Sequence, residues 1–594
     1  MRSRNIVNYC RLKNTEELPL NLTSTSNPAL SDVELARQAK LRPIEEVAAD
    51  LGLGADDIEQ FGRNKCKITY EALTGILSKG DKAQGKLILV TAITPTKSGE
   101  GKTTVSIGLA QALRKKGLKS AAALREPSMG PVFGQKGGGT GGGHAQIVPM
   151  DDINLHFTGD LHAITSANNL LAALIDNHIH FGNALDIDTA SITFRRCMDM
   201  NERSLRSLIQ GVGGKSNGVL RESGFDITAA SEVMALTCLA DSFQDLKDRL
   251  SRIVVAKDKS GAPITAGQLN GAEPMAIILK DAVKPNLVQT IDGTPAFVHG
   301  GPFANIAHGT SSVLSSRLAL RLADYVVTEA GFGADLGFEK FCDIVASTRP
   351  ELAPAAVVLV VTVKALKLHG GLSEKELKNC TDENLPEHLA AIEKGFVNAE
   401  RHAHVVQGFG LPVVLAVNRF ATDKDAEVEK VLELARSRNF TARAANVWGL
   451  GGEGGIELAE AVIAAAEKER DFKPVYKQED TVLEKLDKIA RSVYGAYRVV
   501  LTDEALKRLK WLEKYGFDRL PVCVAKTQYS FSDDPEKLGA PSGFTLTVRE
   551  LRLSAGAGFV VALTGEIMTM PGLPKVPSGA NMKVNGNGQV ERFY

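Results

Sequence analysis

From Ser31 onward apolar residues recur at helical spacing, first Val33, Leu35 and Ala36, then Ile44, Val47, Ala48 and Leu51, and Gly52 and Gly54 punctuate the end of that stretch. The period then changes. Residues 86–92 (KLILVTA) form a short apolar run of strand type, a glycine-bearing turn follows, and residues 105–116 return to an amphipathic helical pattern. Residues 119–124 predict the next strand, and 325–327, 355–363 and 412–417 are further buried runs that alternate with helical stretches such as 311–322 and 426–438. Continuous apolar strands separated by helices predict a parallel sheet covered on both faces, so the fold class is α/β and doubly wound.

At 594 residues the chain exceeds what one hydrophobic core supports, and two to four domains are expected. Composition shifts place boundaries near Gly370 and Gly371, where a charged helical segment begins, and in the polar stretch 471–480 around Pro474. The expected organisation is an N-terminal extension (1–28), then units spanning 29–371, 372–475 and 476–594. No internal repeat is visible. Residues 568–587 are rich in Pro, Gly and Asn and predict an ordered loop without helix or strand. Residues 1–28 carry Arg2, Arg4, Arg11 and Lys13 before the first acid at Glu16, a pattern of either a frayed extension or an organellar transit peptide.

Charge narrows the function classes. Seventy Lys and Arg balance seventy Asp and Glu, so no net field draws the chain to nucleic acid or an acidic membrane, and any anion must be captured locally. The longest apolar run, within 353–363, is about half the ~20 residues of a membrane helix. Seven scattered cysteines without a C-x-x-C pair fit reduced thiols in a cytoplasmic setting.

Thr96, Lys97, Ser98, Gly99, Glu100, Gly101, Lys102 and Thr103 match the phosphate-loop pattern G-x-x-x-x-G-K-[ST] except at the first Gly. In such a loop backbone N–H groups surround phosphate oxygens, Lys102 reaches the outer phosphates, and the Thr103 hydroxyl can hold Mg²⁺. The position between a predicted strand and helix makes this a P-loop nucleotide-binding core, with additional α/β domains after it. Arg125 and Glu126 end the next strand, where ligands bind in open α/β sheets, and a planar guanidinium suits a carboxylate or phosphate. A glycine-rich run, 134–144, follows, then Asp151, Asp152 and Asp160, which could bind a cation or simply cap helices. The pairs His178/His180 and His402/His404 lack a recognised zinc spacing.

The strings TKSGEGKT, GQKGGGTGGGH, VPMDDINLHFTGD and VTVKALKLHGG together resemble the formate–tetrahydrofolate ligase family, also called formyltetrahydrofolate synthetases, from about Ser31 to Tyr594. Lys97 stands where that family usually has Pro, Thr140 and His144 where it has Ala and Tyr, and Lys364 where it has Arg. The resemblance implies ATP-dependent ligation of formate to tetrahydrofolate through formyl phosphate. Lys102 would act on the transferring phosphoryl group, Thr103 on Mg²⁺, Arg125 on formate and formyl phosphate, and Asp160 at an activating K⁺ or NH₄⁺ site. Phe420 and Trp448 would stack on the folate or adenine ring, and the assembly would be a homotetramer. Two other readings compete: a P-loop ATPase switch, and a ligase for another small carboxylate. The glycine-rich loop and the chain beyond Gly371 argue against the first.

Overall fold

The computed structural model describes residues 30–79, 84–134, 138–565 and 567–593. The extension 1–28 and Gln135, Lys136 and Gly137 of the glycine-rich run lie outside the described residues.

Eight strands carry the site: β1 Lys86–Ala92, β2 Ser120–Leu124, β3 Asn286–Thr290, β4 Pro295–Val298, β5 Tyr325–Gly333, β6 Ala356–Val361, β7 Val413–Asn418 and β8 Thr441–Ala445. Their spatial order is β3-β4-β2-β5-β1-β6-β7-β8, parallel throughout except for the antiparallel β3–β4 pair. Short antiparallel strands, Cys66–Ile68 and Ile58–Gln60, extend the sheet beyond β3, and Ala145–Val148 also pairs with β3. The chain leaves β1 toward β2 on one side and later runs through β6, β7 and β8 on the other. The carboxyl end of β1 is therefore where connections diverge, the position at which open α/β sheets bind ligands.

The helices around this sheet include α1 Lys102–Lys115, α2 Asp160–His180, α3 Val313–Leu322, α4 Val363–His369, α5 Leu385–Gly408, α6 Asp425–Ser437, α7 Val447–Leu450 and α8 Ile456–Ala466. Both sheet faces are buried, which is why the strands read as unbroken apolar runs. Ile88, Val90, Val358 and Val360 pack with residues of α1 and α8 in one cluster, while Leu87, Leu89, Val357 and Leu359 join α2, α3 and α5 in another. All six side chains of β6 are buried, and full burial of each Val or Leu contributes about 1.5–3 kcal/mol.

Three expectations change in detail. Helix α1 starts at Lys102, because Lys102, Thr103 and Thr104 carry no apolar signal yet complete its first turn. The run 355–363 divides at Thr362, whose hydroxyl accepts from Ala365 N and starts α4. Residues 568–587 are not wholly irregular: Lys583–Val584 pairs antiparallel with Val590–Arg592 around a turn at Asn585, where Asn585 N donates to Gln589 O at 2.9 Å. The Asn and Gly residues that suggested loop belong to that turn. No helix among the described residues is long and apolar enough to cross a membrane.

After residue 475, helices α9 Val482–Ile489 and α10 Asp503–Lys514 accompany two small sheets. Arg498–Leu501 runs parallel to Thr545–Val548, and Phe559–Leu563 lies between Val522–Ala525 and Glu550–Ser554. Buried charges tie this part to the large sheet. Lys526 Nζ lies 2.6 Å from Asp335 Oδ2, both groups essentially without solvent contact. One and two turns later, Glu339 and Asp343 are also buried, and Asp343 Oδ1 accepts from Val475 N at 2.8 Å.

Burial pushes Asp343 up to about 7. Glu339 is raised by burial and then by the Asp343 charge, with Lys340 opposing. An unfolded aspartate ionises near ~4 while this one stays protonated to about 7, so the folded chain holds the extra proton between. The contribution is full below the unfolded value and lost as pH rises through the folded one. Asp343→Asn keeps an acceptor for Val475 N but cannot ionise. Between about pH 5 and about pH 8 the parent's melting temperature should therefore fall more steeply than the variant's in calorimetry; parallel profiles would remove Asp343 from this role.

Candidate active site

The turn between β1 and α1 is held in shape from three sides. Gly99 and Gly101 adopt φ of 77° and 74°, conformations that residues with a Cβ avoid. A Cβ on Gly101 would lie 2.4 Å from Asn418 Nδ2 at the end of β7, and that nitrogen donates to the Glu100 carbonyl at 3.0 Å. The buried Glu100 carboxylate accepts from Thr96 N at 2.6 Å and Thr96 Oγ1 at 2.9 Å, and also from Thr362 Oγ1. Strand ends β6 and β7 thus fasten the turn. From α4, Lys364 Nζ donates to Ser98 Oγ at 3.0 Å and to the Gly99 carbonyl at 3.3 Å.

Lys102 and Thr103 occupy the first two positions of α1, where the positive end of the helix dipole favours an anion. Lys97 points outward to Glu374 at 3.0 Å, with both side chains mostly exposed, so water screens that pair.

A residue that sequence reasoning passed over connects the loop to Arg125. Glu329, in β5, accepts from Thr103 Oγ1 at 2.7 Å through Oε2 and from Arg125 Nη2 at 3.0 Å through Oε1. Burial alone would raise this carboxyl; the Arg125 charge, the Thr103 hydroxyl and the Lys102 charge overcome it and hold Glu329 below the usual carboxylate range. Arg125 Nε is buried without a hydrogen bond among the described residues, a donor suited to a further anion. The available signal for Glu329 was an acid two residues beyond the buried run 325–327, a position that proves to lie within β5.

Phe420 and Trp448 follow neighbouring strands, since Asn418 in β7 is in register with Ala445 in β8. They remain 36% and 43% exposed, unusual for large rings in a well-packed fold, and among the described residues neither stacks on the other. Lys364 Nζ stands 5.1 Å from the Phe420 ring centre. Trp448 meets the glycine-rich run: its carbonyl accepts from His144 N at 2.8 Å, and a Cβ on Gly143 would fall 2.0 Å from that oxygen. On Gly142 a Cβ would lie 3.2 Å from the indole nitrogen, a tight contact, whereas at Gly143 only glycine permits the approach.

Asp160 begins α2 and is buried against Lys67, whose Nζ lies 2.8 Å from Oδ1 and 2.9 Å from Oδ2; Asn286 Nδ2 also donates to Oδ2 at 2.8 Å. The Asp160 charge helps raise Glu126, behind the larger effect of burial, and Glu126 Oε2 is buried without a partner among the described residues. Asp152 turns instead to Lys65 Nζ at 2.5 Å. Of the histidines, His178 Nε2 accepts from Leu185 N at 3.0 Å and His402 Nε2 lies 3.0 Å from Thr94 Oγ1. Lys67 carried no motif that could have placed it beside Asp160.

The geometry thus gathers an anion-binding helix start, a guanidinium and two exposed rings along one sheet edge. The family model described as formate–tetrahydrofolate ligase matches residues 30–593. A formate–tetrahydrofolate ligase from Symbiobacterium thermophilum is 55% identical over 566 residues, which cover 95% of this chain and 100% of the relative. Because the match takes in the loop 96–103, the glycine-rich run and the C-terminal strands alike, the chain belongs to the formate–tetrahydrofolate ligase family.

Proposed function

We propose that the chain ligates formate to tetrahydrofolate with ATP, giving 10-formyltetrahydrofolate, ADP and phosphate. The observation that carries the chemistry is the shared carboxylate of Glu329, which holds Thr103 of the loop and Arg125 in one hydrogen-bonded row. A carboxylate such as formate is a poor electrophile until it becomes a mixed anhydride with phosphate. The reading is that a formate oxygen attacks the γ-phosphate of ATP, forming formyl phosphate and releasing ADP. N10 of tetrahydrofolate then attacks the formyl carbon and phosphate leaves.

In this scheme residues 96–103 are a P-loop that cradles the phosphates, and the protein chiefly positions groups and neutralises charge. Lys102 neutralises the phosphoryl group in flight. Arg125 Nε and the rest of its fork bind formate and then formyl phosphate, with Glu329 fixing the plane of the guanidinium. Thr103 and Glu329 offer oxygens of the kind Mg²⁺ takes together with phosphate and water. Phe420 and Trp448 supply ring faces for folate or adenine.

The unit 29–371 would then hold the phosphate and formyl sites, 372–475 the ring slot, and 476–594 would complete the fold. A K⁺ or NH₄⁺ ion is proposed near Asp160; the orphaned Glu126 oxygen supports a cation there, although Lys67 already neutralises part of the cluster. The family resemblance extends to a homotetramer, which sedimentation of the purified chain checks.

Lys102→Ala should leave a folded protein that loses most formate- and tetrahydrofolate-dependent ADP release, and Arg125→Lys should impair it despite the retained charge. Unchanged turnover in the first removes the loop assignment; an unchanged KM and kcat for formate in the second makes Arg125 structural. ADP release that ignores both formate and tetrahydrofolate would instead indicate an ATPase switch.

For the cation, K⁺ should lower the formate requirement of the parent and do so less in Asp160→Asn. Equal responses would take Asp160 out of that role.

Trp448→Ala should weaken tetrahydrofolate binding by roughly tenfold to a hundredfold, corresponding to about 1–3 kcal/mol of ring stacking. Calorimetric titration of both folate and ATP separates a folate slot from a shared one, and unaltered folate affinity in the folded variant would exclude Trp448.

A further inference from the structure

A cluster that the ligase reading does not use lies behind the Phe420 turn. Cys380 comes from the connection between α4 and α5, His388 from the first turn of α5, and Glu427 from the first turn of α6. One ligand atom from each, the Cys380 sulfur, a His388 ring nitrogen and a Glu427 oxygen, lies within 4.8 Å of the others. His388 is 2% exposed and Glu427 is fully buried. His388 Nδ1 has no hydrogen-bond partner among the described residues, although a buried imidazole nitrogen ordinarily finds one. It stands 3.8 Å from Glu427 Oε1, too far for a hydrogen bond.

From these positions we infer that Cys380, His388 and Glu427 form a binding site for a thiophilic divalent cation of the Zn²⁺ class. Thiolate, imidazole and carboxylate together match that class; Mg²⁺ and Ca²⁺ take oxygen ligands only. A tetrahedral ion with Zn–S near 2.3 Å and Zn–N near 2.0 Å sets its ligand atoms about 3.5 Å apart, so the side chains need contract by roughly 1 Å. The carboxylate is already oriented for this. Its Oε2 accepts from Lys424 N at 3.0 Å at the start of α6, leaving Oε1 turned toward His388.

Lys367 pairs with that same oxygen, so the ammonium and the metal compete for it. Binding releases the Cys380 thiol proton, and affinity therefore rises with pH. An ion here would staple the connection 372–384 to α5 and α6. That connection also carries Glu374, the partner of Lys97 in the phosphate loop, and Asp382, which pairs with Lys424 at 2.6 Å. The inference stands on its own geometry and does not depend on the reaction catalysed.

The test uses Co²⁺ as probe on the full-length chain, freed of metal by chelation and without ATP or Mg²⁺. The expected result is one Co²⁺ per chain with a thiolate-to-cobalt charge-transfer band in the near ultraviolet, displaced by Zn²⁺. The band should vanish in Cys380→Ser, and in His388→Gln the affinity should fall by at least tenfold. Absence of the band in the parent, or a band that persists in Cys380→Ser, overturns the assignment. Should Cys380→Ser not fold, His388→Gln decides: unchanged Co²⁺ affinity in that variant overturns it equally.

Discussion

A buried carboxylate that cannot be left alone organises this molecule's working edge. Glu329 sits inside the sheet, where an unpaired charge costs several kcal/mol. The fold answers by bringing Arg125 from β2, and Thr103 and Lys102 from α1, around one pair of oxygens. Each partner is thereby fixed relative to the others before any substrate arrives. On the proposed reading, such preorganisation would let fixed charges act on a developing charge without first rearranging. Glu100 applies the same logic to the turn itself, drawing Thr96 and Thr362 onto one carboxylate so that the loop keeps its shape.

How much of this could be read from the chain depends on the range of the interaction. Strands β1, β2, β6 and β7 and the turn before α1 were legible because burial on both faces writes a continuous apolar run, and glycine marks a turn. Lys102, Thr103 and Arg125 could be singled out as candidates from their neighbours in sequence. Glu329, Lys67 and Asn418 could not, since each acts across a long stretch of sequence: Thr103 to Glu329 over 226 residues, Lys67 to Asp160 over 93, and Asn418 to the Glu100 carbonyl over 318. Strand β8 was missed for another reason. Its alternating exposure at the sheet margin gives a weaker apolar signal than the central strands.

Buried ion pairs recur well away from the loop. Lys67 with Asp160 and Lys526 with Asp335 join segments distant in sequence, and neither pair has meaningful contact with water. Such pairs seldom add net stability over a well-packed apolar alternative, but breaking one is costly, about 3–5 kcal/mol. Their effect is to make each packing arrangement nearly all-or-none. The Lys526 pair commits the C-terminal strands to one docking against the sheet, and the Lys67 pair commits the start of α2 to the strand Cys66–Ile68.

The close approach of Gly142 and Gly143 to Trp448 has an optical consequence. The chain has two tryptophans. Trp511 is enclosed by cations, with the Arg508 guanidinium 4.2 Å and Lys257 Nζ 4.8 Å from its ring centre, and its indole N–H is bonded to the Gly261 carbonyl. Its emission should be a steady background. Trp448 is partly exposed and lies directly against the glycine run, so a change in that run alters the polarity around its indole. The protein therefore carries an intrinsic fluorophore against the glycine run, and the wavelength of its emission reads out the placement of Gly142 and Gly143, which lie in a run with no tryptophan or tyrosine of its own.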